Sequence, residues 1–256
     1  MKVKELFEII DRQVAPFSLA EEWDNSGLLV GDPEAEARTV LVCLDITLPA
    51  VAEAVSCGAQ LILSHHPVIF HPLKRVTAGS PVYALIQAGI SAICAHTNLD
   101  LAPGGVNDCL ARVLGLRNIR PLGSSSNKTS LGRRGELPEP LDAAGFAALV
   151  SRVLTPAGGV RYIDGGRPIR EVAVCGGAGG SLCYELEPGI DALLTSELKH
   201  NVFLDCTAMG LTAVDAGHHD TECVVLPWLC ERLAGLAPEV NFIQSKTGSP
   251  VKMGAL

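Results

Sequence analysis

The sequence contains no run of basic residues, no CxxC cysteine pair and no apolar stretch of membrane-spanning length. Its formal net charge at pH 7 is -8. Nucleic-acid binding requires clustered lysines and arginines that neutralise phosphates, so this charge argues against a nucleic-acid-binding surface. A helix that crosses a bilayer needs about 20 consecutive apolar residues, and we therefore expect no membrane span.

The cysteines and the amino terminus indicate the compartment. The nine cysteines are an odd number and are scattered through apolar segments. That distribution predicts reduced, mostly buried thiols. Residues Met1 to Leu6 begin no long apolar core of the kind that a signal peptide has. Together these features predict a cytoplasmic protein.

The length and composition suit two domains of ordinary size. A chain of 256 residues is near the upper limit for a single core, and 48% of its residues are hydrophobic, which is enough to bury a sizeable core. Residues 122–129 are small and polar and show no hydrophobic periodicity. We therefore place a domain boundary in that stretch.

The segment from Leu61 to Pro67 carries the strongest functional signal. An apolar run of strand length ends in His65 and His66, and the proline that follows cannot extend the hydrogen-bonded ladder of a sheet. Ligands bind at the carboxyl ends of strands in open α/β sheets, and imidazole is the commonest metal-binding side chain. Adjacent strand residues point to opposite faces, so each histidine could serve a different ion. The alternative is a hydrogen-bonded histidine pair at a rim.

A second buried strand is predicted over Ile90 to Ala95, and His96 follows it, with Asp100 four residues further on. We expect Asp100 in the turn beyond the strand, where its carboxylate can reach back and offset the charge of divalent ions. A capping or turn aspartate is the alternative. The predicted helix between the two strands makes a crossover of the kind that builds a parallel sheet.

The chain repeats this strand–helix–strand unit. Residues 59–64 are echoed by 191–196, and residues 90–95 by 211–216. Both echoes are followed by a histidine with a carboxylate four residues later, namely His96 with Asp100 and His218 with Glu222. The spacing alone is common by chance, but its repetition indicates that the strand ends of both copies face a shared site.

Glu222 is predicted in the first turn of a helix near the carboxyl terminus. Thr221 is the expected N-cap, Pro227 begins the regular part, and Gly235 is expected to stop the helix after Leu233. A glutamate at that place can bridge two ions, one with each carboxylate oxygen.

Two turns have open roles. Asp24 and Asn25 either line the rim of a cleft or form a turn held by side-chain hydrogen bonds and packed by Trp23. The glycine-rich run from Gly176 to Gly180 allows close backbone approach, so it is either an anion site or a packing turn. Its spacing matches no phosphate-binding motif, which favours the packing turn.

Four segments together resemble a known family. They are Trp23 to Leu28, Leu63 to Pro67, His96 to Asp100 and Gly217 to Glu222. In this order they are similar to the dinuclear-metal hexameric proteins known as GTP cyclohydrolase I type 2 homologues, which are related to the yeast NGG1-interacting factor. The resemblance covers essentially the whole chain.

The resemblance implies an α/β fold with two similar lobes of largely parallel sheet flanked by helices, and a metal site between them. The implied lobes are residues 1–122 and 123–220, and the helix and strand of residues 221–256 return to the first lobe. A toroidal homohexamer whose metal sites face an inner cavity is also implied.

The same resemblance implies two divalent metal ions in each subunit. The implied ligands are His65, His66, Asp100, His218 and Glu222, with the glutamate bridging, and His96 stands close by. Three imidazoles and two carboxylates suit Zn, Fe, Mn, Co or Ni, so the identity of the metal stays open.

Two functions are compatible with these features. The first is a metal-dependent hydrolase of a nucleotide-like or other small substrate, with His96 as the general acid or base. The second is a non-enzymatic hexameric protein that handles metal or acts as an interaction scaffold. The sequence departs from many relatives at His219, where they carry an aromatic residue, and from several at Asn201, where they carry histidine. Neither departure touches the five expected ligands.

Overall fold

A computed structural model describes residues 1–123 and 131–252. Most of the predicted boundary stretch, 122–129, and the last four residues of the tail lie outside this description. The described helices are α1 (Val3–Gln13), α2 (Leu48–Ser56), α3 (Pro81–Ala88), α4 (Thr97–Leu101), α5 (Val106–Val113), α6 (Ala143–Leu154), α7 (His200–Met209), α8 (His218–Glu222) and α9 (Val225–Leu236). None of these helices is long and apolar enough to cross a bilayer.

The described strands are β1 (Gly27–Val30), β2 (Thr39–Cys43), β3 (Leu61–Ser64), β4 (Ser91–Cys94), β5 (Arg117–Pro121), β6 (Arg133–Leu141), β7 (Arg161–Ile163), β8 (Ile169–Val174), β9 (Ala192–Thr195), β10 (Thr212–Asp215) and β11 (Asn241–Gln244). They form one five-stranded and one six-stranded sheet. An α/β fold with two sheets and flanking helices is therefore confirmed.

The chain divides into two compact units, each with its own sheet. The first contains Met1–Gly105 and Val225–Gly248, and the second contains Val106–Val224 and the described residues from Ser249 on. The limits expected from the sequence were residues 122 and 220, whereas this division places α5, β5 and the end of α8 in the second unit. For β5 the reason is pairing, because it forms an antiparallel ladder with β6.

The sheet of the first unit has the strand order β1-β4-β3-β2-β11. Strands β2, β3, β4 and β11 are parallel, and β1 is antiparallel to β4. Every residue of β3 and β4 is buried, as expected for strands that are covered on both faces. Because parallel strands share one carboxyl edge, the residues that follow β2, β3 and β4 emerge at that edge.

Side-chain caps and a glycine set the helix ends in the first unit. Thr47 accepts a hydrogen bond from the N–H of Ala50 at the start of α2, and Ser80 does the same for Tyr83 at the start of α3. Gly89 ends α3 in the left-handed conformation, with φ of 66°. Local signals in the sequence thus set the length of both crossovers.

The sheet of the second unit has the order β5-β6-β8-β9-β10-β7 and is mixed. Only β8, β9 and β10 are parallel, so the expectation of a largely parallel sheet is wrong for this unit. Strand β5 is mostly exposed and β6 alternates, and Arg120 and Arg134 pair with Glu171 on one face. Antiparallel strands tolerate a solvated face of this kind.

The central strands of the second unit are covered on both faces. Leu194 of β9 packs with Phe146 and Val150 of α6, whereas the preceding Leu193 packs with Val202 of α7. Successive strand residues point to opposite faces, so a continuous apolar run serves two helix layers.

The duplication is confirmed. The β3–α3–β4 and β9–α7–β10 crossovers each join parallel strands of four residues, with registers that pair Ser64 with Cys94 and Thr195 with Asp215. The helix of the second copy ends at Gly210 with φ of 67°, within one degree of the value at Gly89.

The predictions for the carboxyl-terminal helix need correction. Thr221 is not an N-cap, because α8 begins at His218 and the Thr221 hydroxyl donates back to the carbonyl oxygens of Gly217 and His218. Gly235 does not stop α9, which continues to Leu236. A glycine in a helix costs about 1 kcal/mol relative to alanine, and that cost alone does not end a helix packed through buried residues.

Candidate metal centre

Three histidines of the first unit converge at the carboxyl edge of its sheet. His65 and His66 follow β3 and His96 follows β4, and each offers a ring nitrogen within 4.8 Å of the other two. The ring centroids of His65 and His96 are 5.2 Å apart. The structure thus groups His96 with the two histidines that were expected to bind metal.

His65 is held in the tautomer that binds metals. Its Nδ1 lies 3.0 Å from the carbonyl oxygen of Ala95, and a carbonyl oxygen only accepts, so Nδ1 carries the proton and Nε2 the lone pair. The Nε2 atom is 3.7 Å from Oδ1 of Asp100. Asp100 lies in α4 and not in the predicted turn, and its buried carboxylate still reaches His65.

Asp45 orients His66. The Nδ1 atom of His66 lies 2.9 Å from Oδ1 of Asp45, which follows β2 at the same edge. A carboxylate at Nδ1 fixes the ring and raises the basicity of Nε2. Asp45 was not singled out from the sequence. The rule that indicated His65 and His66, a polar residue directly after a buried strand, applies to it equally.

Asp24 plays the same part for His96. Its Oδ1 lies 2.7 Å from Nδ1 of His96, and its side chain is fully buried. Burial opposes ionisation of Asp24, but hydrogen bonds from His96, Thr97 and Ser26 and the charge of His96 together hold the pKa of this carboxyl well below its usual range. Asp24 also accepts from the N–H of Asn25, as in the predicted turn, so the turn serves the site.

The second unit presents a histidine and a glutamate on one helix. His218 and Glu222 are four residues apart on α8, and Nε2 of His218 lies 3.2 Å from Oε1 of Glu222. The Nδ1 atom of His218 lies 2.8 Å from Oε1 of Glu197. Glu222 is buried, whereas Glu197 is exposed and has a left-handed backbone with φ of 57°. We did not identify Glu197 from the sequence, because nothing in its local pattern links it to His218.

The glycine-rich loop packs directly against this pair. A Cβ at Gly177 would lie 2.3 Å from Oε1 of Glu222 and 3.1 Å from Nε2 of His218, and its φ is 64°. The carbonyl oxygen of Gly177 accepts from the hydroxyl and the N–H of Ser196. Only glycine fits this close approach without strain.

The backbone amides of the same loop donate hydrogen bonds within the protein. The N–H groups of Gly176, Gly177 and Gly179 donate to the side chains of Asn107, Thr221 and Thr195, at 2.8, 3.0 and 2.9 Å. An anion site needs such groups to point at a ligand. The loop is therefore the packing turn, and it supports Glu222.

A known protein family and several named proteins match nearly the whole chain. The family model described as Duf34/NIF3 (NGG1p interacting factor 3) matches residues 1–250. A protein called "GTP cyclohydrolase 1 type 2 homolog" from Clostridium perfringens is 32% identical over 255 residues, covering 96% of this chain and 97% of the relative. One of the same name from Streptomyces coelicolor is 37% identical over 238 residues, covering 88% and 82%. The chain is a member of the Duf34/NIF3 family.

Solved structures support the same conclusion for the fold. The hypothetical protein SA1388 of Staphylococcus aureus has a TM-score of 0.91 and 30% identity, covering 100% of this chain and 99% of that one. Reduced HcgD from Methanocaldococcus jannaschii has a TM-score of 0.81 and 27% identity, with coverage of 96% and 98%. The resemblance that the four segments carried is thus confirmed at the level of the family.

The donor set of this Duf34/NIF3 chain fits divalent ions. His65, His66 and His218 each direct Nδ1 to an oxygen acceptor, which leaves Nε2 available to a metal, and buried carboxylates lie near His65 and His218. Thiolates are not part of this set. Burial raises the pKa of Cys43 and Cys94, the two cysteines that end β2 and β4.

The two departures of this Duf34/NIF3 chain lie outside those contacts. His219 is part-buried, and its ring lies with Asp220 and Cys223, whose ligand atoms come within 4.8 Å of one another. Asn201 is exposed on α7. Neither side chain hydrogen-bonds to the expected ligands among the described contacts.

Proposed function

We propose that the chain is a metal-dependent hydrolase that acts on a nucleotide-like or other small substrate. In this proposal His65, His66, Asp100, His218 and Glu222 hold two divalent ions, and Glu222 bridges them. The observation that carries it is the hydrogen bond at Nδ1 of each of the three histidines, because such bonds prepare Nε2 for a metal. The nucleotide-like substrate is supported by the name of the relatives, "GTP cyclohydrolase 1 type 2 homolog".

Divalent ions supply Lewis-acid polarisation of a substrate and lower the pKa of water. The protein's own part is to orient the ligands and to handle protons. Asp100 and Glu222 are buried carboxylates whose negative charge such ions offset. Gly177 has no side chain, and Glu222 therefore keeps its place on α8.

His96 is the proposed proton carrier. Asp24 stays ionised and accepts the hydrogen bond of Nδ1, so Nε2 is the atom of His96 that takes up or releases a proton. The ring lies beside His65 and His66 but has its own carboxylate partner. A histidine placed in this way can act as a general acid or base during hydrolysis.

The decisive experiment takes two measurements on the same preparation. His96→Ala should keep the metal content of the parent, by elemental analysis, and lower turnover of the best substrate in a nucleotide and phosphoester panel by roughly 10²–10⁴-fold, the usual share of general acid–base catalysis. Asp24→Asn, which keeps the shape but removes the charge, is the matched variant and should lose part of that rate. Loss of metal in His96→Ala would make His96 a ligand instead. A metal-loaded protein with no turnover across the panel would favour metal handling over hydrolysis.

We also propose that the chain assembles as a toroidal homohexamer. The family resemblance supports this, and the large apolar side chains of Val55, Ile86 and Leu204, each more than half exposed, are candidate interface residues. Light scattering that reports a monomer under non-denaturing conditions would refute the assembly.

A further inference from the structure

Trp23 and Phe70 form an exposed aromatic pair beside His96. Their ring centroids are 6.1 Å apart, and those of Trp23 and Phe70 lie 6.2 and 6.4 Å from that of His96. Both rings stand nearly perpendicular to the imidazole, at 81° and 79°. Trp23 is 58% exposed and Phe70 is 40% exposed. In a sequence with only 4% aromatic residues, two exposed rings at this place call for a physical reason.

The pair is held in position by its neighbours along the chain. Asp24, next to Trp23, is fully buried and binds His96 and Thr97. The side-chain amide of Asn25 donates to the carbonyl oxygen of Ile69, next to Phe70, at 2.5 Å. The turn that carries one ring is therefore bonded to the segment that carries the other. Rings that are fixed before binding lose little entropy when a ligand stacks on them.

The same segment has a local excess of positive charge in an acidic chain. No aspartate or glutamate occurs between Glu53 and Asp100, whereas the whole chain has a net charge of -8. Lys74 and Arg75 follow Phe70 by four and five residues, are exposed, and make no ion pair with any residue that the structure describes. An anionic group attached to a bound ring would meet positive charge here.

We propose that Trp23 and Phe70 bind the flat face of a heteroaromatic ring that carries an anionic group, and that Lys74 and Arg75 attract that group. Aromatic side chains bind ring systems through their faces, and the binding tolerates different rings. The ring would then lie beside His96, and this placement is the one point at which the inference rests on the proposed function. The proposed hydrolase function names no residue that binds the heteroaromatic ring of a substrate. Trp23 and Phe70 would fill that role and would define the substrate class of the same site.

Trp23 can report on this binding directly. The chain has two tryptophans, and Trp228→Phe leaves Trp23 as the only one. With the protein as purified, in this background, GTP and guanosine should quench the emission of Trp23 in a saturable way. Inorganic tripolyphosphate, which has no ring, should leave it unchanged.

Two kinds of variant distinguish the binding of the heteroaromatic ring from the attraction of its anionic group. Phe70→Ala should weaken binding of GTP and guanosine about 10-fold or more, the usual loss when one stacking partner is removed, and Phe70→Tyr should restore it. Leu73→Ala is the matched control, because Leu73 is a half-exposed apolar residue of the same segment. It should bind like the parent. Joint replacement of Lys74 and Arg75 by alanine should weaken GTP but not guanosine.

Two results would overturn the ring site. They are the absence of saturable quenching by either ring-containing ligand at millimolar concentration, and equal affinities in Phe70→Ala and the parent. The hydrolase is judged separately by turnover. Saturable quenching without turnover would support the ring site and refute the hydrolase, and turnover with unchanged affinity in Phe70→Ala would do the reverse.

Discussion

The β3–α3–β4 and β9–α7–β10 units end in the same backbone arrangement. Ala95 donates its N–H to the carbonyl oxygen of Ser64 at 2.9 Å, and Ala216 donates to that of Thr195 at 3.0 Å. If residues are counted from these two bonds, His96 corresponds to Gly217. The match of residues 90–95 to 211–216 gives the same correspondence, and the motif that sets His96 opposite His218 is offset from it by one residue.

The same count also decides which residues correspond in the first half of the repeat. Because Ser64 corresponds to Thr195, His66 corresponds to Glu197. The match of residues 59–64 to 191–196 is therefore shifted by one. Where the first unit has an imidazole, the second has the carboxylate that orients His218, at 2.8 Å.

Helices α4 and α8 begin at equivalent places, because His96 directly precedes α4 and Gly217 directly precedes α8. The histidine therefore stands before the helix in the first copy and is the first residue of the helix in the second. Both copies nonetheless show a histidine and an acid four residues apart. Duplication has thus preserved the scaffold and the strand-end edge, while the donors differ: histidines after strands in the first unit, a helical histidine and glutamate in the second.

The largest expected effect tests this division of donors. Glu222→Ala should lose both ions while the fold survives, because each oxygen of a bridging glutamate serves one ion. His65→Ala or His66→Ala should mainly deplete one. Elemental analysis gives the metal to protein ratio, and circular dichroism checks the fold. Full metal content in Glu222→Ala would remove the bridging role.

A smaller effect tests the correspondence of the orienting carboxylates. Asp45→Asn and Glu197→Gln remove the charge at Nδ1 of His66 and His218 and keep the side-chain shape. Each should lower metal affinity about 10- to 100-fold, as measured by competition with a chelator. Glu136→Gln, at a part-buried glutamate of β6, is a control that should bind like the parent. If neither variant changes metal affinity, the contacts of Asp45 and Glu197 with the histidines do not contribute to metal binding.

Much of this arrangement could be predicted from the sequence. Apolar runs of strand length indicated the strands β3 and β4, and the strand-end rule indicated His65 and His66. Those signals work because each depends on neighbouring residues alone.

What could not be predicted depends on contacts between distant segments. Asp24 reaches His96 across 72 residues, and Glu197 reaches His218 across 21. Equal spacing within two motifs also cannot reveal that the histidine precedes the helix in one copy and begins it in the other. The mixed sheet of the second unit was missed for a related reason, since alternation in β6 does not specify its partner.

The smallest expected effect separates backbone strain from contact with the donors. Gly177 and Gly166 both have positive φ, 64° and 78°, but a Cβ at Gly166 meets nothing within 4 Å, whereas one at Gly177 meets Glu222 and His218. Alanine at either position should therefore cost about 1–2 kcal/mol of unfolding free energy for the left-handed backbone. Only Gly177→Ala should cost more, because Glu222 or the loop must shift.

Chemical denaturation of the two variants, each with and without a chelator, gives the required numbers. Gly166→Ala should lose the same stability in both conditions and keep its metal. Gly177→Ala should lose metal as well, because its Cβ displaces Oε1 of Glu222, and chelator should then change its stability less than that of the parent. If the two variants behave alike, the glycine-rich loop is no more than a turn, and the second unit positions Glu222 without it.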